Sequence, residues 1–256
     1  MKVLITGASS GFGKDFAIKL SKLGYDIVAV ARSKDKLEDL KEKVKTNLEI
    51  EVMDLSKQEN LYKLHEKYQG KIDLLINNAG FGECGRFDKT DMDKELNMID
   101  LNVTSLHILT KLFYTEFVKK NKGQILNVAS IAAFQPGPLM ATYYASKAYV
   151  YNLTMALYEE NRRNKGNVKI SVLCPGPAET GFFDRANVKF SIKPHTSDFV
   201  TEYTIKKLMK NKLLIIPGFI PKMTVFANRL VPRKIVMRIA YNIQNRKLYK
   251  EKKWKL

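Results

Sequence analysis

Short apolar runs alternate along this chain with longer amphipathic stretches. The apolar runs are rich in Val, Ile and Leu throughout, as is typical of strands that are covered on both faces of a sheet. Strands are predicted at 2–6, 26–30, 48–52, 72–77, 124–129, 168–174 and 213–216, and helices at 12–23, 34–45, 57–68, 91–120, 142–163 and 198–210. Alternating strands and helices form βα units around a parallel sheet. The pattern therefore predicts an α/β fold, doubly wound, in one domain over residues 1–256.

Two segments depart from this alternation. Residues 177–196 contain Pro, Gly and aromatic side chains and follow a predicted strand, so they lie at the carboxyl edge of the sheet, where ligands bind. We predict a substrate lid over 181–200. Residues 219–256 are apolar and basic, with eleven Lys and Arg against one acid, and we predict a helical C-terminal extension there.

A glycine-rich turn stands between the first predicted strand and the first helix, with the spacing G-xxx-G-x-G. Glycines allow close approach of the backbone, and the helix N-terminus offers free N–H groups and a positive dipole to a phosphate. The turn is therefore a candidate cradle for a dinucleotide pyrophosphate. The residues predicted to bind it are Gly7, Ser9, Ser10, Gly11, Phe12 and Gly13.

The next strand ends indicate which dinucleotide binds. The second strand ends at Arg32, where NAD-binding folds usually place an acid for the ribose 2′-hydroxyl; an arginine there suits a 2′-phosphate and favours NADP(H) over NAD(H). Asp54 and Leu55 close the third strand, and this carboxylate is a candidate acceptor for the adenine amino group. The fourth strand ends in Asn77, followed by candidate cofactor residues Asn78, Ala79 and Gly80.

The candidate chemistry lies beyond the fifth strand. Ser130 follows that strand, Tyr143 begins a predicted helix, and Lys147 is four residues later on the same helical face. A phenol has an ordinary pKa of about 10, and a nearby ammonium lowers that pKa by stabilising the phenolate. Tyr143 is therefore a candidate proton donor to a carbonyl oxygen and acceptor from an alcohol, with Ser130 orienting that oxygen. Tyr144 points about 100° away around the helix and is assigned to packing.

These motifs together resemble the classical short-chain dehydrogenase/reductase (SDR) family from Lys2 to about Pro217. The resemblance implies a Rossmann-type, doubly wound, seven-stranded parallel sheet with strand order 3-2-1-4-5-6-7. It implies a catalytic set of Asn102, Ser130, Tyr143 and Lys147, in which Asn102 holds a water of a proton relay and Lys147 grips the nicotinamide ribose. Further cofactor residues that it implies are Tyr143, Lys147, Pro175, Gly176 and Thr180.

The C-terminal extension departs from the ending of many family members. We therefore expect a homodimer through helices 91–120 and 142–163 in place of a tetramer made through the tail. The charge of +18 and the basic tail suit either a solvated surface or a weak contact with an anionic membrane, and we expect no specific nucleic acid. No apolar stretch is long enough for a membrane span or a signal peptide, so we expect a cytoplasmic protein.

The sequence leaves three functions open. The first is an NADP(H)-dependent enzyme that interconverts a carbonyl and an alcohol on a small molecule. The second is an NADP-binding regulator without turnover, and the third is a peripheral membrane-associated reductase of lipid or steroid ketones. The two cysteines, Cys84 and Cys174, lie outside CxxC and Cys/His clusters, so neither a disulfide framework nor a metal site is predicted.

Overall fold

The computed structural model describes residues 1–180 and 194–252, with side chains described as far as 245. The first half of the chain follows the predicted βα rhythm. Its elements are β1 (Lys2–Thr6), α1 (Gly11–Lys22), β2 (Asp26–Ala31), α2 (Lys34–Glu38), β3 (Leu48–Val52), α3 (Gln58–Tyr68), β4 (Leu74–Asn77), α4 (Met92–Ile99) and α5 (Leu106–Lys120).

The second half completes the sheet and adds the extension. Its elements are β5 (Gln124–Val128), α6 (Ala141–Arg163), β6 (Lys169–Leu173), β7 (Ala178–Glu179), β8 (His195–Thr196), α7 (Ser197–Leu208), β9 (Leu214–Ile215), α8 (Phe219–Ala227) and α9 (Arg233–Lys252). A 3-10 turn, Ile131–Phe134, precedes α6. The predicted extension therefore folds as two helices.

Seven parallel strands form the main sheet in the order β3-β2-β1-β4-β5-β6-β9, which confirms the predicted topology. Strands β2 and β3 lie on one side of β1, and β4, which follows β3 in the chain, lies on the other. At such a switch point the connections after the neighbouring strands β1 and β4 leave on opposite faces of the sheet, and a crevice opens at the carboxyl ends. Apolar clusters cover both faces: one contains Phe16 and Leu20 of α1, and the other contains Phe113 and Phe117 of α5. The strand ends that carry the predicted site are thus held on a packed scaffold.

Two predicted helices are wrong in extent. The helix predicted at 34–45 ends at Glu38, because the chain then tightens into bonds from Leu40 N to the Leu37 carbonyl (3.1 Å) and from Lys43 N to the Leu40 carbonyl (2.9 Å). The helix predicted at 91–120 is interrupted by a π-helical turn over Asp100–Ser105. Side-chain periodicity does not report such changes of backbone hydrogen bonding.

The predicted lid falls partly outside the described residues, which stop at 180 and resume at 194. Its last part, 195–200, is strand β8 and the start of α7. Strand β8 pairs in parallel with β7, so Ala178 is opposite His195 and Glu179 is opposite Thr196. The strand just before the predicted lid is therefore paired with a strand in its last part, and Ala178 and His195 both line the crevice.

Candidate active site

A cleft of about 440 Å³ opens at the carboxyl ends of the strands. It brings together nearly all of the predicted site residues, from the glycine turn to the helix that carries Tyr143. Those that line it are Gly7, Ser9, Ser10, Gly11, Phe12, Arg32, Asp54, Leu55, Asn78, Ala79, Gly80, Ser130, Tyr143, Lys147, Pro175, Gly176 and Thr180. Gly13 and Asn102 are buried directly behind this lining.

The glycine turn is fastened to the end of β4. The Thr6 hydroxyl accepts hydrogen bonds from the backbone N–H groups of Asn78 (2.9 Å) and Ala79 (3.0 Å). Asn78 Nδ2 donates in return to the Thr6 carbonyl at 3.0 Å. Gly7 has a φ of +68°, and a Cβ on Gly13 would stand 2.2 Å from the Gly7 carbonyl oxygen, so both positions require glycine.

This turn fits a dinucleotide pyrophosphate. Ser10 is the N-cap of α1 and makes no side-chain capping bond, and the first turn of α1 has no acidic residue. The N–H groups and the positive end of the helix dipole therefore face the cleft without a competing carboxylate.

The adenosine end of the cleft holds opposite charges. Arg32 is exposed at its rim, and Asp54 is partly buried beside it. Burial raises the pKa of the Asp54 carboxyl, but hydrogen bonds from Ser56 and the charges of Arg32 and Lys57 outweigh burial, and the net pKa is lowered. Asp54 is thus an acceptor at neutral pH, although Ser56 N (3.0 Å) and Ser56 Oγ (2.9 Å) already donate to its Oδ1.

Asn102 lies in the π-helical turn and is fully buried. Its Oδ1 accepts from Phe81 N at 3.0 Å, and its Nδ2 donates to the Phe81 carbonyl at 2.8 Å. The same amide donates to Ser146 Oγ at 3.1 Å. The side chain therefore ties the loop after β4 to α6, the helix that carries Tyr143 and Lys147. A π-helical turn is a common feature of functional sites.

Tyr143, Ser130 and Lys147 meet at the inner end of the cleft. Burial raises the pKa of Tyr143, and a hydrogen bond with the Ser130 side chain opposes that shift without cancelling it. Lys147 Nζ donates to the Val128 carbonyl at 2.9 Å and lies 6.0 Å from the centre of the Tyr143 ring. Burial lowers the pKa of Lys147 to about 8.

The expectation of a lowered pKa for Tyr143 is wrong for the protein alone, because the net pKa is raised. Desolvation disfavours the phenolate more than the surrounding groups favour it, so the pKa of Tyr143 rises and the residue is a neutral phenol at pH 7. A neutral phenol is the form that donates a proton to a carbonyl oxygen.

The short chain dehydrogenase profile matches residues 1–189, which include the glycine turn, Asn102 and the Ser130, Tyr143 and Lys147 set. The chain belongs to the short-chain dehydrogenase/reductase family. Membership places it among oxidoreductases that act on carbonyl and alcohol groups with NAD(P), as the sequence predicts.

Members of the family that are similar to the chain include a curated protein and two proteins of solved structure. The very-long-chain 3-oxoacyl-CoA reductase of Rattus norvegicus is 28% identical over 98% of this chain and 83% of its own length. A Sphingobium yanoikuyae SDR in complex with NADPH is 28% identical, with a TM-score of 0.80 over 85% of this chain and 88% of its own. A Burkholderia phymatum SDR in complex with NAD is 25% identical, with a TM-score of 0.79 over 88% and 91%. Some curated relatives are longer than this chain. The match to the hydroxysteroid dehydrogenase-like protein 1 of Gallus gallus spans 50% of that protein's length.

The SDR cleft has an outer wall that sequence reasoning missed. Tyr144, assigned above to packing, lines the cleft, and its hydroxyl accepts a hydrogen bond from Gln244 Nε2 at 2.9 Å. His195 also lines it and stacks on Phe199 with ring centres 5.0 Å apart. From the extension, the lining residues are Ile220, Pro221, Thr224, Ala240, Ile243 and Gln244. No local motif marks them, because only the packing of α8 and α9 brings them to the cleft.

Replacing Asn102 with Ala is expected to lower the free energy of unfolding by about 2–6 kcal/mol, because the Phe81 N–H and carbonyl would both lose their hydrogen bonds to Asn102, and each unpaired group costs about 1–3 kcal/mol. Urea denaturation at neutral pH measures the change. Asn152→Ala is the matched control, since that exposed side chain bonds only to the Ala148 carbonyl of its own helix. Equal stability of the two variants would contradict the tying role of Asn102.

Proposed function

We propose that this protein is an NADP(H)-dependent reductase that interconverts a ketone and a secondary alcohol, with Tyr143 as general acid and base. The observation that carries the proposal is the hydrogen-bonded pair of Ser130 and Tyr143 at the inner end of a cleft whose other end is the glycine turn. A carbonyl oxygen that meets both hydroxyls is oriented and receives a proton at the same place.

Each part of the cleft would bind a different part of the cofactor or the substrate. The glycine turn would hold the pyrophosphate, Arg32 and Asp54 the adenosine, and Lys147 the nicotinamide ribose, with Pro175, Gly176 and Thr180 beside the ring. When bound, the nicotinamide supplies or accepts the hydride. Ser130 orients the substrate oxygen, and Tyr143 donates a proton to it in reduction or takes one from it in oxidation. The Lys147 ammonium favours the phenolate that donation leaves behind.

The preference for NADP(H) is supported by Arg32. Its exposed guanidinium stands at the rim of the adenosine end, where a 2′-phosphate would add two negative charges and matching oxygen geometry. The relatives do not decide between the cofactors, since one neighbour was solved with NADPH and another with NAD.

Arg32→Asp is expected to weaken NADPH binding by at least about tenfold and to leave NADH binding unchanged or tighter, because the carboxylate repels the phosphate and accepts from a ribose hydroxyl. Titration of each reduced cofactor, followed by its own fluorescence, gives both dissociation constants. Lys34→Asp makes the same change of charge two residues further along the chain, at a position outside the cleft lining. It therefore controls for the change in the overall electrostatic field of the protein. Equal shifts for the two variants would remove the argument for NADP(H).

The proposed substrate is a bulky apolar ketone. Ile131, Met140, Ile220 and Ile243 line the cleft, Met140 in the same apolar cluster as Tyr143, and the Tyr144–Gln244 pair offers one polar contact. A lipid-like or steroid-like ketone has this distribution, and the similarity to a very-long-chain 3-oxoacyl-CoA reductase supports the same class. A panel of ketones of increasing apolar size, assayed by NADPH oxidation, tests it. Turnover confined to small polar ketones would contradict it.

A regulator without turnover is the alternative. It would need a defect in the Ser130, Tyr143 and Lys147 set. All three residues are present: Tyr143 and Lys147 are buried, and Ser130, which is partly buried, is hydrogen-bonded to Tyr143. Lys147 Nζ lies 6.0 Å from the centre of the Tyr143 ring. The structure therefore favours the enzyme.

A further inference from the structure

The helices α8 and α9 form the outer rim of the cleft. Ile220 of α8 and Ile243 of α9 both line it, and both are largely exposed, at 68% and 47%. The outward side of the two helices therefore surrounds the entrance through which a substrate must pass.

Helix α8 and the turn after it present an apolar stripe to solvent. Phe219, Met223 and Phe226 have the spacing i, i+4 and i+7, which places them on one side of α8, and Leu230 lies in the turn that follows the helix. They are 75%, 46%, 55% and 71% exposed. Pro221 and Val225 of the same helix are buried. The large side chains on the outward side are therefore a second apolar face that the described part of the chain leaves exposed.

Helix α9 has the same two-sided character. Val236, Ala240 and Gln244, four residues apart, are buried, and the last two line the cleft. Ile235 and Ile239, on the neighbouring stripe, are 46% and 52% exposed. Exposed large apolar side chains concentrated on two neighbouring helices of the sequence are typical of an interaction site.

Every charged residue on this face is a cation. Residues 219–245 contain no acid. Their basic residues are Lys222, Arg229, Arg233, Lys234 and Arg238, all of them exposed. We call these five cations, with Phe219, Met223, Phe226, Leu230, Ile235 and Ile239, the extension face.

We propose that the extension face docks on the surface of an anionic lipid bilayer, with the entrance of the cleft turned towards the membrane. Apolar side chains flanked by cations are the composition that binds such a surface, the former entering the acyl boundary and the latter meeting the headgroups. No described helix is long and apolar enough to cross a membrane, so the face lies on the bilayer.

Charge argues against a second copy of this chain as the occupant. A two-fold contact places the same patch on both partners. Ten cations and no acid from the two extension faces would then meet across the interface, and their repulsion opposes the contact. The phosphates of a nucleic acid would pair with the cations, but they would not bury the exposed Phe and Leu side chains, which would remain in water.

Docking would deliver an apolar ketone from the bilayer into the cleft without passage through water, a consequence that rests on the proposed function. The docking itself does not depend on turnover. Binding measured without cofactor or substrate therefore distinguishes a failure of this inference from a failure of the reductase assignment.

Sedimentation of the full chain with vesicles tests the inference. We expect binding to phosphatidylcholine vesicles that contain about one fifth phosphatidylserine, little binding to pure phosphatidylcholine, and release at high salt. Neutralising three cations (Arg229, Arg233 and Lys234 to Gln) is expected to weaken binding on the order of a hundredfold, at about fivefold per cation. Phe226→Ser with Leu230→Ser is expected to weaken binding without changing the charge.

Matched controls lie elsewhere on the surface. Phe87 and Met92 are 70% and 68% exposed, and their replacement by Ser removes comparable apolar area. Lys63, Lys119 and Lys210 to Gln remove the same charge from exposed positions outside the extension face. Binding that drops equally in the control variants would overturn the inference. So would equal binding to neutral vesicles, a dimer that the Phe226 and Leu230 changes dissociate, or binding to duplex DNA but not to vesicles.

Discussion

Tyr143→Phe is expected to lower kcat by about 10²- to 10⁴-fold, the range that a positioned general acid contributes. The substitution removes one hydroxyl from a buried position and leaves the ring in its cluster with Met98, Ala132 and Met140, so the fold and the dissociation constant for NADPH are expected to stay close to those of the unaltered protein. Initial rates with an accepted ketone, combined with an NADPH titration, give the two quantities.

The neighbouring tyrosine supplies the matched control. Tyr144→Phe also removes a single hydroxyl from the cleft, but that hydroxyl accepts a hydrogen bond from Gln244, whereas Ser130 is the partner of Tyr143. Its loss is expected to change KM for the ketone more than kcat. Comparable kcat values for Tyr143→Phe and the unaltered enzyme would remove Tyr143 from the chemistry, and a collapse of kcat in Tyr144→Phe would reassign the proton donor.

Lys147→Met is expected to lower kcat by about 10²- to 10³-fold, because it removes a preorganised charge from the site where the phenolate forms. It is not expected to destabilise the ligand-free protein at pH 7, although the residue is buried and bonded to the Val128 carbonyl. The reason is that burial lowers the pKa of Lys147 from 10.5 to about 8. Holding the ammonium in the folded state then costs about 3 kcal/mol, at 1.36 kcal/mol per pKa unit.

The pH dependence of that cost has a definite sign. Between about pH 8 and pH 10.5 the unfolded chain keeps the Lys147 proton while the folded chain has lost it. The free energy of unfolding rises with pH wherever the unfolded state binds more protons. The loss of stability from the buried ammonium is therefore complete below about pH 8 and disappears as the pH rises to 10.5. Denaturation of both proteins across this window should show the unaltered protein gaining stability relative to Lys147→Met. A constant difference would contradict the lowered pKa.

The sheet and the residues at its carboxyl edge were predictable because each has a local signature. A buried parallel strand is recognised as an apolar run, and the glycine turn and Asn78 directly follow such runs. Lys147 lies four residues after Tyr143, on the same face of a helix. The strand order was implied by the family resemblance and is the order observed.

The remaining features depend on contacts between distant segments. The short helix α2 and the π-helical turn at Asn102 preserve apolar spacing while changing the backbone bonds, so periodicity does not reveal them. The raised pKa of Tyr143 follows from its burial, which the YxxxK spacing does not contain. Gln244 reaches Tyr144 across one hundred residues of sequence, and nothing near either residue signals the pair.

The transfer of deuterium from NADPH labelled at the reactive nicotinamide carbon is the most direct test of the central claim. The unaltered protein, a panel of bulky apolar ketones and the labelled cofactor are expected to give alcohols that carry deuterium on the carbinol carbon. Tyr143→Phe should bind the same cofactor and give almost no labelled alcohol. If the unaltered protein binds NADPH tightly but labels no ketone in the panel, the assignment as a reductase of apolar ketones is contradicted.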